Sequence, residues 1–93
     1  MIRSFRDKRT EQIWNEKWVK SMDHRVQRAG LRKLEILHAA RDLNDLGVPP
    51  GNRLERLAGD RKGQHSIRVN DQWRICFVWS GAGADQVEFV DYH

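Results

Sequence analysis

The sequence predicts an α+β fold in which two N-terminal helices pack on one face of a mainly antiparallel β-sheet ending in a three-stranded meander. Three observations predict it. Residues 64–93 contain three runs of alternating hydrophobicity, Gln64–Val69, Trp73–Trp79 and Gln86–Tyr92, parted by Asn70-Asp71-Gln72 and by a Gly/Ala-rich turn at Gly81–Ala84. This is the pattern of half-buried strands. The residues before Pro49-Pro50 carry apolar side chains at helical spacing instead. Ninety-three residues can bury one modest core and no more, so residues 1–93 are read as a single compact domain.

Ile2–Phe5 is placed as a short strand. Asp7 is the expected N-cap of a first helix running to Lys20, with Glu11 early, where the helix dipole favours an anion. Trp14 and Trp18, one turn apart, are expected to share its buried face. A second helix is expected from a Ser21 cap to Leu46. Val26, Ala29, Leu34, Ile36, Leu37, Ala40 and Leu43 lie on about half its circumference at ~3.6 residues per turn, opposite Arg25, Arg28, Arg32, Glu35 and Asp42. Gly47 offers a left-handed cap, and Pro49-Pro50 cannot continue a helix. Val48–Gly63 reads as a Pro/Gly-punctuated loop carrying Arg53, Arg56, Arg61 and Lys62, with Leu54 and Leu57 in a short edge strand.

In the meander, a short loop at Asn70–Gln72 sets Val69 opposite Trp73 and Ile67 opposite Ile75, which keeps the apolar side chains together. Arg68 then faces Arg74 on the other side, at a cost of ~0.2–1 kcal/mol unless an anion lies between them. Setting Trp79 opposite Val87 brings Tyr92 beside Arg74, with Asp91 and His93 as neighbours. The ordinary account is of surface arginines neutralised by Glu88 or Asp91. Two arginines, a tyrosine, an aspartate and a histidine together are also the parts needed to bind a phosphodiester and move protons around it.

The net charge of +4 is unevenly spread. Residues 1–20 carry six basic and three acidic groups, residues 21–52 five and four, residues 53–74 six and three, and residues 75–93 none and three. Positive charge flanking the central helix suits a polyanion such as nucleic acid, although a charge of this size is common among proteins that bind none. No run is apolar enough to span a bilayer and no signal-peptide pattern is present, so a soluble cytoplasmic protein is expected, with no membrane association. Cys76 is alone, which rules out a disulfide within the chain and argues against a cysteine-rich zinc site; a small buried residue is its expected role. His24 and His38 have no cysteine or acidic partner at metal-ligand spacing, so no metal or other cofactor is expected. The sequence contains no phosphate-binding glycine loop, nucleophile elbow or internal repeat.

Gly59-Asp60-Arg61, His65-Ser66-Ile67-Arg68-Val69-Asn70, Gln72-Trp73-Arg74-Ile75-Cys76-Phe77 and the closing Val90-Asp91-Tyr92-His93 resemble the HigB-type toxins of the RelE/ParE superfamily. Ile2-Arg3-Ser4-Phe5 and Pro49–Leu54 fit as well, so the likeness covers nearly the whole chain. It implies a RelE-like fold and ribosome-dependent endonuclease cleavage of translated mRNA in the A site, inhibiting translation and growth. The implied partners are a HigA-like helix-turn-helix antitoxin, the ribosome with its mRNA and, only through the antitoxin, operator DNA. Carried over by position, the family's active region falls on Arg74, Asp91, Tyr92 and His93. Glu55 stands where a well-known pattern has a histidine, leaving Glu55, His65 or Tyr92 to complete the acid/base set.

Metal-independent RNA cleavage uses the 2′-hydroxyl as nucleophile. Arg68 and Arg74 would hold the phosphate. His93, with an unperturbed pKa of ~6.5, would serve as general acid, its charged form favoured by Asp91 and the terminal carboxylate. Tyr92 either orients or activates the nucleophile or stacks on a base. Arg53, Arg56, Arg61 and Lys62 either embrace an RNA or DNA backbone or belong to a solvated loop partly neutralised by Glu55 and Asp60. Two rival readings are a ParE-like toxin acting on DNA gyrase, which the Arg74, Tyr92 and His93 combination argues against, and a nucleic-acid-binding module that cuts nothing.

Overall fold

Asp7 starts the first helix as its sequence requires, its carboxylate accepting from the Thr10 backbone N–H at 3.2 Å. The computed structural model describes residues 1–91. Helix α1 spans Lys8–Trp14 and stops earlier than expected: Asn15 closes it and Glu16 turns to φ 60°. Trp14 and Trp18 therefore do not share a helical face. Trp14 packs against the core and His38, whereas Trp18 is 58% exposed and stacks on His24 at 4.0 Å.

Helix α2 spans His24–Ala39, capped by Asp23 and not by Ser21. Gln27 explains the later start. Its buried amide accepts from Val19 N at 2.9 Å and donates to the carbonyls of Val19 and Met22, tying the preceding segment down as a loop. The buried stripe of α2 is Gln27, Gly30, Leu34 and Leu37. Gly30 is needed because a Cβ there would lie 2.7 Å from the Phe89 ring. The helix ends at Ala40 in extended backbone, and Leu43–Gly47 forms a separate 3-10 turn under an Asp42–Asp45 capping box. Gly47 keeps a negative φ, unlike Gly59, Gly63 and Gly81.

The sheet has the order β1-β2-β3-β4, all antiparallel, with β1 at Glu55–Arg56, β2 at His65–Arg68, β3 at Trp73–Ser80 and β4 at Gly83–Asp91. The first hairpin has the expected register, with Ile67 opposite Ile75 and Arg68 opposite Arg74. The second does not: Trp79 stands opposite Ala84, and Arg74 opposite Val90. The turn contracts to Gly81-Ala82, with Gly81 at φ 59°. Gln86, at φ 52°, is then an extra residue where Cys76 pairs with Glu88 and Val78 with Asp85. Such a bulge shifts the register without disturbing the apolar alternation on either side.

The outer edge of β4 is covered in two stages. Ile2 and Phe5 bridge it in parallel at Ala84 and Val87. Beyond them, Thr10 Oγ1 accepts from Phe89 N at 2.8 Å and Arg9 donates to Phe89 O at 2.7 Å, so α1 satisfies the strand where the N-terminal segment leaves it. Leu34 and Leu37 of α2 and Ile67, Ile75, Phe77 and Phe89 of the sheet are fully buried between the layers. The radius of gyration is 12.1 Å, against about 12 Å for a folded chain of this length. Among the described residues no helix is long and apolar enough to cross a membrane.

Candidate active site

Strand alternation gives the sheet two unlike faces. Ile67, Trp73, Ile75, Phe77 and Phe89 point toward the helices, and Ser66, Arg68, Arg74, Cys76 and Glu88 point away from them. On this second face Arg74 is not the exposed arginine that alternation suggests, being only 8% exposed. Its Nε donates to Ser66 Oγ at 2.8 Å and its Nη2 to Arg53 O at 2.6 Å, while Nη1 lies 3.8 Å from the Glu55 carboxylate.

Each of these partners has a local cause. Ser66 is one residue before Ile67 and so shares Arg74's face. Glu55 lies on the same side because β1 pairs it with Ser66. Arg53 is held at φ 44° after the 3-10 turn Pro50–Asn52. The fully buried Asn52 anchors that turn, accepting from Lys33 Nζ at 2.5 Å and donating to the carbonyls of Leu46 and Val48 at 3.2 Å. A contact between α2 and a loop thus fixes the carbonyl that orients a guanidinium on the far side of the sheet.

Arg68 and Arg74 face each other as expected, but their charges diverge, Arg68 pairing with Asp71 and Arg74 turning to Glu55. These carboxylates neutralise them in place of Glu88 or Asp91. Glu88 instead takes Arg61 at 3.0 Å, with Arg6 at 3.9 Å. Beneath this group Cys76 is buried, and burial pushes its thiol above the ordinary range; Arg61 and Arg74 oppose that shift and Glu88 adds to it.

The four cations expected to line one loop are divided. Arg53 offers its backbone carbonyl to Arg74, Arg61 joins Glu88, and Arg56 and Lys62 stand with His65 around a hollow at the β1–β2 edge. The segment that bears them is built from two 3-10 turns and β1, and is not an irregular loop. Asp91 stands opposite Trp73 and accepts from Gln72 Nε2 at 3.0 Å, so strand alternation turns it away from the Arg74 side. The expected pairing of Tyr92 with Arg74 is replaced by Val90; Tyr92 and His93 themselves lie outside the described residues.

His65 belongs to the helix-facing side, stacked near Phe77 at 6.3 Å between ring centres. Burial, helped by the nearby Arg56 charge, pushes its pKa below the ordinary 6.5. Of the three groups left open for the acid/base set, Glu55 is therefore the one described on Arg74's face. Among the described residues no three of His, Cys, Asp or Glu gather as metal ligands. Ser66 and the Arg53 carbonyl are the groups that sequence reasoning missed. Ser66 was within reach, since the predicted register already placed it on Arg74's side.

Two helices on one face of a four-stranded antiparallel sheet is a fold shared with solved toxin-antitoxin structures. The YoeB-YefM complex from Staphylococcus aureus shares the fold with a TM-score of 0.63 at 12% identity, over 100% of this chain and 98% of that one. A heterotetrameric YoeB-YefM toxin-antitoxin complex from the same organism gives 0.56 at 12% identity, with the same coverage. The family described as "RelE-like toxin of type II toxin-antitoxin system HigB" matches residues 3–93. Toxin HigB-1 of Vibrio cholerae serotype O1 is 46% identical over 80 residues, covering 85% of this chain and 84% of the relative. An uncharacterized protein of Haemophilus influenzae is 36% identical over 62 residues, 67% of this chain and 60% of that protein. The chain belongs to the HigB-like toxin family.

Proposed function

We propose that the protein is a ribosome-dependent mRNA endonuclease, a single toxin domain of residues 1–93 that acts in the cytoplasm and cuts translated mRNA in the A site. The observation that carries this reading is the Arg74–Glu55 pair: a guanidinium fixed by Ser66 and the Arg53 carbonyl, with a carboxylate 3.8 Å from Nη1. The fixed arginine supports charge building on a phosphate without having to reorganise. Glu55, whose side chain is 52% exposed, can be reached by substrate and serves as general base.

In the reaction Glu55 takes the proton from the 2′-hydroxyl, whose oxygen forms the new bond to phosphorus. The bond from phosphorus to the 5′-oxygen breaks, and that oxygen takes a proton from His93. The products are a 2′,3′-cyclic phosphate and a 5′-hydroxyl. Asp91 supports the charged form of His93, Tyr92 orients the nucleotide, and Arg68 holds a neighbouring phosphate by exchanging its Asp71 partner for it. Arg53, Arg56, Arg61 and Lys62 contribute binding along the RNA backbone. The partner that restrains the toxin is a HigA-like helix-turn-helix antitoxin, through which the complex reaches operator DNA.

The test is to incubate purified protein with translating ribosomes and map mRNA 5′ ends. New ends within codons, seen only with ribosomes, support the proposal. Intact mRNA with inhibited DNA gyrase would establish the ParE-like reading, and bound but uncut RNA the plain binding module.

A further inference from the structure

A second feature lies round the β1 edge from the Arg74 face. Arg56, Leu57, Lys62, Gly63 and His65 line a hollow of about 330 Å³, at the small end of the ~300–1,000 Å³ common for ligand pockets. Its lining is chiefly apolar, as expected where the long stems of Arg56 and Lys62 stand beside Leu57 and the His65 ring. Neither Arg56 nor Lys62 forms an ion pair or side-chain hydrogen bond among the described residues.

The polar atom on offer is on His65. Its Nδ1 is buried without a hydrogen-bond partner, whereas Nε2 is not among the buried unpaired atoms. A buried N–H without a partner is rarer and costlier than a buried lone pair. The neutral ring therefore keeps its proton on Nε2, which leaves that nitrogen as the donor His65 can offer to the hollow it lines. A half-open, largely apolar hollow with a ring donor and two cations at its rim suits a flat heterocycle bearing an acceptor, joined to a phosphate.

We propose that this hollow is a nucleobase subsite, in which His65 Nε2 donates to an acceptor on the base edge while Arg56 and Lys62 take the adjoining phosphate. The proposal rests on the reading of the protein as an RNA-cutting toxin and names a place where a substrate nucleotide outside the scissile position sits. It assigns Arg56 and Lys62 to one nucleotide, apart from the Arg61–Glu88 group on the other face.

The test is NMR titration of the isolated protein with each of the four nucleoside 5′-monophosphates, following the His65 ring and the Lys62 and Gly63 amides. Ribose 5-phosphate and inorganic phosphate are the controls. At least one nucleotide should shift these signals saturably, the His65 ring included, whereas the two controls, which offer the phosphate without the base, should leave the His65 ring unmoved and shift the Lys62 and Gly63 amides more weakly. His65→Phe, which keeps an aromatic ring, should weaken that nucleotide about tenfold through loss of one hydrogen bond. Lys62→Glu, on the exposed rim and safe for folding, should weaken it as well. Absence of saturable shifts with every nucleotide overturns the proposal, as do equal shifts from ribose 5-phosphate or phosphate, which would mark a plain anion site. Because the measurement needs neither ribosome nor cleavage, a protein that cuts mRNA without binding nucleotides here refutes only the subsite. One that binds nucleotides yet cuts nothing refutes only the nuclease.

Discussion

Replacing Arg74 with alanine should impair the protein twice, and the two losses can be measured apart. Arg74 is 8% exposed and donates to Ser66 Oγ and to Arg53 O, at 2.8 and 2.6 Å. A hydrogen bond from a charged donor contributes ~1.5–3 kcal/mol, and an acceptor left dry costs a similar amount. Water can enter from the Glu55 side and offset part of this, so a net loss of ~2–3 kcal/mol is expected. For a domain of this size that lowers the melting midpoint by ~10–20 °C. Urea unfolding followed by tryptophan fluorescence measures the first loss. Cleavage on translating ribosomes, at a temperature where the variant remains folded, measures the second, expected to be ~10²–10³-fold for removal of one preorganised charge donor. Arg74→Lys keeps the charge but cannot span Ser66 and Arg53 together, and should recover little of either. An unchanged urea midpoint in Arg74→Ala would refute the clamp. A folded Arg74→Ala protein cutting mRNA at the parent rate would refute the catalytic role.

Three further outcomes are expected. Gly30→Ala should destabilise by ~1–3 kcal/mol in urea titration although alanine favours helix, because the new Cβ would meet the Phe89 ring at 2.7 and 2.9 Å. His65 has a pKa below 6.5 in the folded chain, so the unfolded chain binds the proton more readily. Its contribution to stability is full above the unfolded-state value of pH ~6.5 and is lost as pH falls from there through the lower folded-state pKa. The unfolding midpoint should drop between pH 7.5 and 5.5, and a His65→Phe protein losing as much over that range would show that other groups are responsible. Deleting His93 should slow cleavage ~10²-fold or more with little change in melting temperature, and parent-rate cleavage by the shortened chain would move the general acid elsewhere.

The fold class and the first hairpin were legible because each rests on a periodic signal. Ile67, Ile75 and Phe77 alternate cleanly, and a slip of one residue would have turned them toward solvent. The second hairpin was not legible for the same reason. The expected register and the observed one differ by two residues at Arg74, so both put Phe89 on the apolar face and alternation cannot choose between them. What chose was the Gly81-Ala82 turn and the extra residue at Gln86, whose N–H goes to Ser4 Oγ at 2.9 Å, a partner 82 positions away. The helix boundaries failed similarly. Ser21 is a good cap by composition, but Gln27 ties the carbonyls of Val19 and Met22 to itself, and the helix begins only after that loop.

The candidate site was half legible, and the missing half is structural in kind. Arg74 and Arg68 could be named from residue type and pattern, and Glu55 only through the family resemblance. No pattern reveals that a backbone carbonyl completes the hold on Arg74. That carbonyl is in place because Arg53 adopts φ 44° behind Asn52, and Asn52 is fixed by Lys33 on α2. Each step of that chain is a bond between residues distant in sequence, invisible to any windowed reading. Under the proposed function, the same chain lets the arginine be both buried and useful. Its Nε and one Nη2 contact are spent on holding orientation, which removes the reorganisation that a flexible surface arginine would need when charge develops on a phosphate. The Nη1 edge is the one turned toward Glu55. A loose surface arginine would contribute less to stability and also less to rate, so the two losses predicted for Arg74→Ala have one physical origin.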